Sequence, residues 1–211
     1  MKRTILFLAL ATLLLPAAKL NAQVGFHAGY APQKLVVKGP AVADRESAST
    51  LYQGFFGGIH YNFDIVGDLG FIPALQIRVN SANGSDSQFE TQDWQFVMDL
   101  PLLLSYDFDL GHDVGIGLFA GPTLSYGISF TRKFKDKETH AADHAVNRYG
   151  DNLANPELAL RRFEVGAAGG FFVEYRGFMI FGGYRLGFND LDRMADQTTK
   201  PRGFFVGVGI N

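Results

Sequence analysis

Hydrophobic and polar residues alternate along several long segments of the chain. Between Val114 and Phe130, every second position carries a mostly bulky, apolar residue, whereas the positions between them carry mostly glycine, serine and threonine. Because successive side chains of a β-strand point to opposite faces, this pattern predicts a strand with one apolar and one small, polar face. Such a strand is longer than the five or six residues that are usual in soluble sheets.

The same alternation recurs along the chain and predicts eight strands. They cover residues 24–30, 51–63, 71–80, 94–108, 114–131, 163–175, 178–188 and 204–210. Short connections at 65–69, 109–113 and 176–177 alternate with longer, polar ones at 31–50, 81–92, 131–161 and 189–201. Outer-membrane barrels have an even number of antiparallel strands, short periplasmic turns and longer external loops. The pattern therefore predicts an all-β fold, an eight-stranded antiparallel up-and-down transmembrane β-barrel.

The first residues of the chain have the features of an export signal. Lys2 and Arg3 precede an apolar run at residues 5–15, and the small residue Ala22 follows at a position typical of signal cleavage. The run is too short to cross a bilayer as a helix, which needs about 20 apolar residues. We therefore predict a cleaved Sec-type signal peptide at residues 1–22 and an outer-membrane β-barrel domain at residues 23–211.

Composition removes several other classes of protein. The chain has 211 residues, of which 47% are hydrophobic and 14% aromatic, so it lacks the composition of a disordered protein. It has no cysteine, which excludes disulfides, thiolate metal sites and a cysteine nucleophile. Its formal net charge of -2 gives no attraction to nucleic acid. The sequence predicts no cofactor, no bound metal and no nucleic-acid partner.

Alternation alone leaves open whether the apolar face points outward into lipid or inward, as in a periplasmic lipocalin-like barrel. An eight-stranded barrel has an interior that side chains just fill, so the small residues fit inside and the bulky residues outside. Charged residues on the polar face would also be costly in hydrocarbon. We expect aromatic residues near the strand ends to form interfacial girdles, namely Tyr30, Phe63, Phe71, Trp94, Tyr106, Phe130, Tyr175 and Phe188.

Six residues of the polar face are predicted to form a polar network in the lumen. These residues are Gln76, Arg78, Asp99, Glu164, Glu174 and Arg185. Two interpretations are open: the charges line a narrow path for ions or protons, or they form a salt-bridged plug. Buried charges need partners and the lumen is narrow, so we favour the plug.

Two segments resemble a known family of barrels. Residues 100–106, a short turn and residues 117–126 resemble the central hairpin of the outer membrane protein beta-barrel domain family, the small "porin family" barrels related to PorT of Bacteroidota. Residues 184–191 are similar to the penultimate strand and following loop of that family. The resemblance implies insertion by the outer-membrane assembly machinery and no established activity. The chain departs from the family in ending on Asn211, where an aromatic residue is common.

Two further groups of residues suggest chemistry. His140 and His144 are spaced as on one face of a helix and flank Asp143, a set able to hold zinc, but a solvated loop is the simpler interpretation. Ser125 and Ser129 lie near the predicted outer end, where a lipid-modifying hydrolase would need a serine with a nearby base. Both serines belong to the lumen face, where small polar residues are ordinary. We predict no catalytic residue.

The sequence therefore predicts a small, non-enzymatic barrel of the Gram-negative cell outer membrane with a filled lumen. External loops would serve surface interaction or an accessory role in the envelope or in secretion. The expected partners are outer-membrane lipid, the outer-membrane assembly machinery and a protein bound at the external loops. A narrow channel or transporter for ions or small solutes, and a lipid-modifying outer-membrane hydrolase, are the alternatives.

Overall fold

The structure, a computed structural model, describes residues 23–38, 51–85, 89–137, 144–149, 160–193 and 198–211. The predicted signal peptide, His140 and Asp143 lie outside these residues, and the side chain of His144 is also outside the description. The described strands are β1 (Gln23–Tyr30), β2 (Gln33–Lys38), β3 (Leu51–Val66), β4 (Leu69–Ser85), β5 (Phe89–Asp109), β6 (Val114–Asp136), β7 (His144–Asn147), β8 (Phe163–Tyr175), β9 (Phe178–Gly187) and β10 (Thr198–Ile210).

The wall of the antiparallel barrel has eight strand positions, one of which is shared by β1 and β2. β1 pairs with β3, the order β3-β4-β5-β6-β8-β9-β10 follows along the chain, and β10 closes the ring on β1. β2 continues in the direction of β1 beyond Ala31 and Pro32, and it pairs with β10 and β3. Closure satisfies the backbone hydrogen bonds of what would otherwise be two free sheet edges. The eight-stranded antiparallel up-and-down barrel predicted from the sequence is confirmed.

The two ends of the barrel differ. Three short turns, at residues 67–68, 110–113 and 176–177, lie at the same end as Gln23 and Asn211, and we name it the turn end. In the last of these turns Arg176 and Gly177 have φ values of 51° and 78°, the left-handed conformations that a two-residue hairpin with right-handed strand twist requires. The other connections leave from the opposite end, which we name the loop end.

Several segments that were predicted as loops are parts of strands. β4 extends to Ser85, and β5 begins at Phe89, so most of the predicted connection 81–92 belongs to a long hairpin. β6 extends to Asp136, β2 lies within the predicted connection 31–50, and β10 begins at Thr198. These extensions lack a regular alternation of apolar and polar residues, so the sequence pattern does not mark them as strands. Cross-strand pairing decides their conformation instead.

Apolar side chains face outward along the whole wall. Among the described residues, 33 large hydrophobic side chains are exposed, whereas only 12 hydrophobic residues are buried. The exposed aromatic residues include Phe26, Phe55, Trp94, Tyr106, Phe171, Tyr175, Phe188 and Phe204. A soluble barrel places its bulky residues around a central cavity, so this distribution contradicts the lipocalin-like alternative.

Phe130 is an exception to the predicted facing. It was expected in an outward girdle, yet it is 0% exposed and lies inside the barrel. A bulge in β6 explains the change, because Phe96 of β5 pairs with Ser129 and the next residue, Val97, pairs with Gly127. Ile128 is therefore the extra residue, and it shifts the alternation by one position so that Phe130 points inward.

Candidate functional site: the lumen

Four charged residues from four different strands form an ion cluster near the middle of the lumen. Asp99 on β5, which is 0% exposed, accepts hydrogen bonds from Arg78 Nε at 2.9 Å and from Arg185 Nη1 at 3.0 Å. Arg185 also contacts Glu164 Oε1 at 3.1 Å. Two cations face two anions, so the ion cluster carries no net charge, as burial in a narrow space demands.

Neutral side chains make further hydrogen bonds to the ion cluster, although the buried Nε atom of Arg185 has no partner. Gln76 Nε2 donates to Asp99 Oδ2 at 3.3 Å, Arg78 donates to Gln33 Oε1, and Arg185 donates to Ser125 Oγ. Gln33 was not among the predicted lumen residues, because it lies in a segment that was predicted as a loop. Residues 35–37, which follow it, form a continuous apolar run and not an alternation, so they did not indicate which way Gln33 points.

The structure does not bring Glu174 into the ion cluster. Glu174 lies toward the turn end, where its Oε2 atom accepts a hydrogen bond from Asn211 Nδ2 at 3.2 Å. There it lines a vestibule of about 580 Å³ together with Asn62, Asp64 and Asp107. The vestibule is open at the turn end and acidic, so it differs from the neutral ion cluster deeper in the lumen.

A histidine pair connects the vestibule with the ion cluster. His60 Nε2 lies 2.8 Å from Asn211 Oδ1, and His27 Nε2 lies 2.9 Å from Gln76 Oε1. The amide nitrogens of Asn211 and Gln76 donate to carboxylates, so both amide oxygens are acceptors and both Nε2 atoms must donate. The remaining contact, Nδ1 to Nδ1 at 3.1 Å, is then a hydrogen bond only when the pair holds one additional proton.

Five phenylalanines fill the lumen between the ion cluster and the vestibule. They form a contiguous layer with ring centroids 6.1 to 6.5 Å apart, and they are Phe56, Phe119, Phe172, Phe181 and Phe205. A cavity of about 110 Å³ remains beside this layer and reaches Thr123 and Arg185. The prediction of a lumen lined by glycine, serine and threonine was therefore incomplete.

Each phenylalanine of this layer lies directly opposite a glycine of the neighbouring strand. The pairs are Phe56 with Gly29, Phe119 with Gly170, Phe172 with Gly117, Phe181 with Gly207, and Phe205 with Gly183. A Cβ atom added to any of these glycines would lie 2.3 to 2.8 Å from the opposing ring. The glycines of the polar face thus provide space for aromatic rings, a pairing that becomes visible only once the strand register is known.

A second aromatic layer covers the ion cluster toward the loop end. Phe130 packs against Tyr52 and Tyr149, with centroid distances of 6.0 Å and 5.7 Å. Tyr52 Oη donates to Asp93 Oδ2 at 2.6 Å, and Arg132 contacts the same carboxylate at 2.6 Å. The connection that contains β7 holds Tyr149 here, since β7 pairs with β6. The lumen is therefore occupied at three levels: an aromatic layer, the ion cluster and a second aromatic layer.

The serines considered for hydrolysis have other surroundings. Ser125 is 2% exposed and accepts a hydrogen bond from Arg185, as its predicted lumen position requires. Ser129 was also predicted on the lumen face, but it follows the extra residue Ile128 and lies opposite the exposed Phe96, so it faces outward. The hydrogen-bonded histidines that the structure describes, His27 and His60, contact each other, Gln76 and Asn211. Within the described ranges, no group of three His, Cys, Asp or Glu residues is placed to hold a metal ion. Nor does any helix there have the length and hydrophobicity to cross a membrane.

Comparison with known proteins gives distant structural similarities only. No protein-family model and no curated protein matches the chain, so the resemblance to PorT-like barrels stays a prediction. Neisserial surface protein A has 15% identity over 90% of this chain and 98% of its own, with a TM-score of 0.48. Ail of Yersinia pestis, crystallised with the heparin analogue sucrose octasulfate, has 14% identity over 90% and 97%, with a TM-score of 0.44. The outer membrane protein OprG of Pseudomonas aeruginosa has 11% identity over 88% and 94%, with a TM-score of 0.36.

Proposed function

We propose that the chain is an integral β-barrel of the Gram-negative outer membrane, exported by a Sec-type signal peptide, that acts through its loop end and not through its lumen. The outward apolar wall supports membrane insertion, because exposed Phe, Leu, Ile and Val side chains gain nothing from contact with water. Charged side chains of the spanning region, such as Arg78 and Asp99, lie inside, where they pair. The loop end is then the external end.

The filled lumen is the observation that supports a non-conducting barrel. An ion crossing it would have to displace the phenylalanine layer and separate Asp99 from Arg78 and Arg185. Breaking such a buried, hydrogen-bonded ion pair costs several kcal/mol. Planar-bilayer recording of the refolded protein should therefore show no stable conductance step. A steady open level in most insertions would contradict the closed-lumen proposal.

Membrane insertion needs its own measurement. Refolding into lipid vesicles should protect the barrel from protease and give a faster-migrating band on unheated SDS gels, as expected of a closed transmembrane barrel. In cells, the protein should fractionate with the outer membrane. A folded, freely soluble protein in the periplasm would contradict the proposal as a whole.

A narrow channel is the second candidate, and the two cavities along the axis favour it. The vestibule of about 580 Å³ lies on the turn-end side of the phenylalanine layer, and the cavity of about 110 Å³ is lined by the phenylalanines themselves and by Arg78 and Arg185. If conduction does occur, neutralising Arg78 and Arg185 should change the selectivity between anions and cations. Unchanged selectivity in a conducting double variant would exclude the ion cluster as the filter.

We infer that the barrel is not an enzyme, because Ser125, one of the two candidate nucleophiles, is a hydrogen-bond partner of Arg185 inside the lumen. The outward-facing Ser129 is the candidate that the experiment must test. Mass spectrometry of lipid A and phospholipids from cells expressing the wild type, Ser125→Ala or Ser129→Ala should give identical lipid profiles. Loss of a modified lipid in either variant would support the hydrolase alternative.

The proposal also expects an external protein partner and contact with the assembly machinery. Cross-linking of residues near the loop end, followed by pull-down from solubilised membranes, would identify both.

A further inference from the structure

Four cations form a patch on the outer wall at the loop end. Lys34 and Lys38 of β2 and Lys200 and Arg202 of β10 are all exposed, and we name them the cation patch. The two strands are neighbours, with Lys34 directly opposite Arg202 and with Val36 between the lysines opposite Lys200. Side chains that are directly opposite in an antiparallel pair have Cβ atoms only about 5 Å apart. The four positive groups therefore share one small surface.

The described part of the chain provides no carboxylate to neutralise this patch. Asp192, which precedes β10, is buried and accepts a hydrogen bond from Thr199 Oγ1, and Asp190 accepts one from the backbone nitrogen of Thr199. The neighbouring hairpin differs, because Lys135 of β6 lies opposite Glu90 of β5. Like charges that are directly opposite destabilise a sheet. The repulsion between Lys34 and Arg202 makes this face a favourable place for an anionic ligand.

The position of the patch identifies the anion's source. Phe204, which is 54% exposed, points outward two residues from Arg202 along β10, and Leu186 of β9, 44% exposed, lies opposite Arg202. Leu51 of β3, 47% exposed, lies opposite Lys34. The patch thus borders the apolar wall directly and faces sideways, parallel to the membrane plane. A ligand that contacts both the cations and the adjacent apolar wall fits a membrane lipid. Its head group would contact the cations, and its acyl chains would contact the apolar residues.

We propose that the cation patch binds the phosphate groups of a phosphorylated glycolipid, of the lipid A type, in the outer leaflet. This inference rests on the proposed orientation of the barrel. The planar guanidinium of Arg202 suits bidentate contact with a phosphate, and the three lysines add point charges around it. Basic residues next to a membrane surface each strengthen binding to anionic lipid. The patch therefore holds one or two lipid molecules at the seam where β10 meets β2.

The test uses the refolded full chain in phosphatidylcholine nanodiscs with lipid A carrying two phosphates, one phosphate or none. Bound lipid is counted by native mass spectrometry. We expect retention to increase with the number of phosphates, and the variant with K34Q, K38Q, K200Q and R202Q to lose at least about tenfold in affinity for the doubly phosphorylated form. Binding of the dephosphorylated form should not change between the two proteins.

Two control variants separate lipid recognition from general charge. Neutralising Lys133 and Lys135, which are exposed on β6 at the same end, should change the affinity less than about twofold, since Glu90 already balances Lys135. Replacing the three lysines of the patch with arginine should retain binding, because the charge remains. The patch proposal is overturned if the fourfold variant binds the phosphorylated lipid as tightly as the wild type.

Two further outcomes have separate meanings. If millimolar inorganic phosphate displaces the lipid completely, the site is one for free phosphate, and the lipid assignment is wrong. If the wild type inserts into nanodiscs but shows no preference for phosphorylated lipid, only this inference fails. If the wild type does not insert at all, the proposed function fails, and the cation patch has no membrane to contact.

Discussion

At the scale of single residues, glycine in this chain is placed where an aromatic ring needs space. Phe172 lies directly opposite Gly117 on the lumen side, and a Cβ atom at Gly117 would lie 2.3 Å from the ring. Gly115, two residues earlier on the same strand, would meet nothing within 4 Å. The two glycines differ only in what the neighbouring strand presents. The high glycine content, 25 residues, therefore includes positions that packing requires and positions that it does not.

Substituting alanine at Gly117 and at Gly115 should show which of the two glycines packing requires. Gly117→Ala overpacks the phenylalanine layer and should lower the free energy of unfolding by about 1 to 3 kcal/mol. Gly115→Ala should leave stability unchanged or raise it by about 0.5 kcal/mol, because the unfolded chain loses freedom. Urea unfolding in lipid vesicles, followed by tryptophan fluorescence of Trp94, measures both. Equal effects of the two substitutions would contradict the proposed role of the ring.

A second single residue on which the stability of the barrel depends is Asp99, through its negative charge. Asp99→Asn leaves Arg78 and Arg185 buried with only Glu164 as counter-charge. Removing one member of a buried ion pair costs about 3 to 5 kcal/mol, so we expect a loss of that size in the same unfolding assay. Asp68→Asn, in the exposed turn between β3 and β4, is the control and should change stability by less than about 0.5 kcal/mol. A stable D99N barrel would show that the ion cluster is dispensable.

At the scale of elements, one bulge determines which side chains cover the lumen. Ile128 interrupts the pairing of β6 with β5, so the residues beyond it change faces. Without this extra residue, Phe130 would point to the outside, and the contacts of Tyr52 and Tyr149 with its ring would be lost. Bulges often redirect side chains in this way at the ends of barrels. Here the bulge converts a lipid-facing aromatic position into the centre of the second aromatic layer.

Deleting Ile128 should therefore be far more harmful than shortening its side chain. The deletion restores a continuous register, turns Phe130 outward and turns Arg132 away from Asp93, so we expect much less folded barrel. Ile128→Ala keeps the number of residues and loses only an exposed side chain, so its folded fraction should stay close to that of the wild type. The fraction of fast-migrating protein on unheated SDS gels compares them. Equal folded fractions would show that the bulge is not required.

At the scale of the whole molecule, the barrel has its hydrophobic surface on the outside and encloses the charged side chains of the ion cluster. Leu118 on the wall and Leu110 in the turn between β5 and β6 are equally exposed, at 58% and 60%. In water, replacing either leucine with arginine would have little effect. In a bilayer only Leu118 contacts hydrocarbon, so the two positions distinguish an inserted barrel from a soluble one.

Substituting arginine at Leu118 and at Leu110 tests whether the barrel spans a membrane. Leu118→Arg should lower the free energy of unfolding in lipid vesicles by about 2 to 4 kcal/mol, the cost found for arginine near the bilayer midplane. Leu110→Arg should change it by less than about 1 kcal/mol, because it lies near the interface or beyond it. The same measurement in vesicles with shorter acyl chains should reduce the penalty at Leu118. Equal, small penalties at both positions would count against the transmembrane arrangement.

The sequence alone determined the fold class and the facing of most strands. Alternation along residues 94–108 and 163–175 shows which side chains share a face, since that depends only on the geometry of a single strand. The narrow interior of an eight-stranded barrel then decides which face is inside. Arg78, Asp99, Glu164 and Arg185 were identified in this way, because charges on an inward face must lie in the lumen.

Only the tertiary structure decided which inward residues meet, because that depends on the register between strands. It separates Glu174 from the ion cluster and adds Gln33, whose strand has no clear alternation. It places each lumen phenylalanine opposite a glycine and turns Phe130 inward through a bulge. Pairing Lys34 with Arg202 likewise required two segments far apart in the chain. Local periodicity specifies the faces of a strand, whereas contacts across the barrel arise from closure and register.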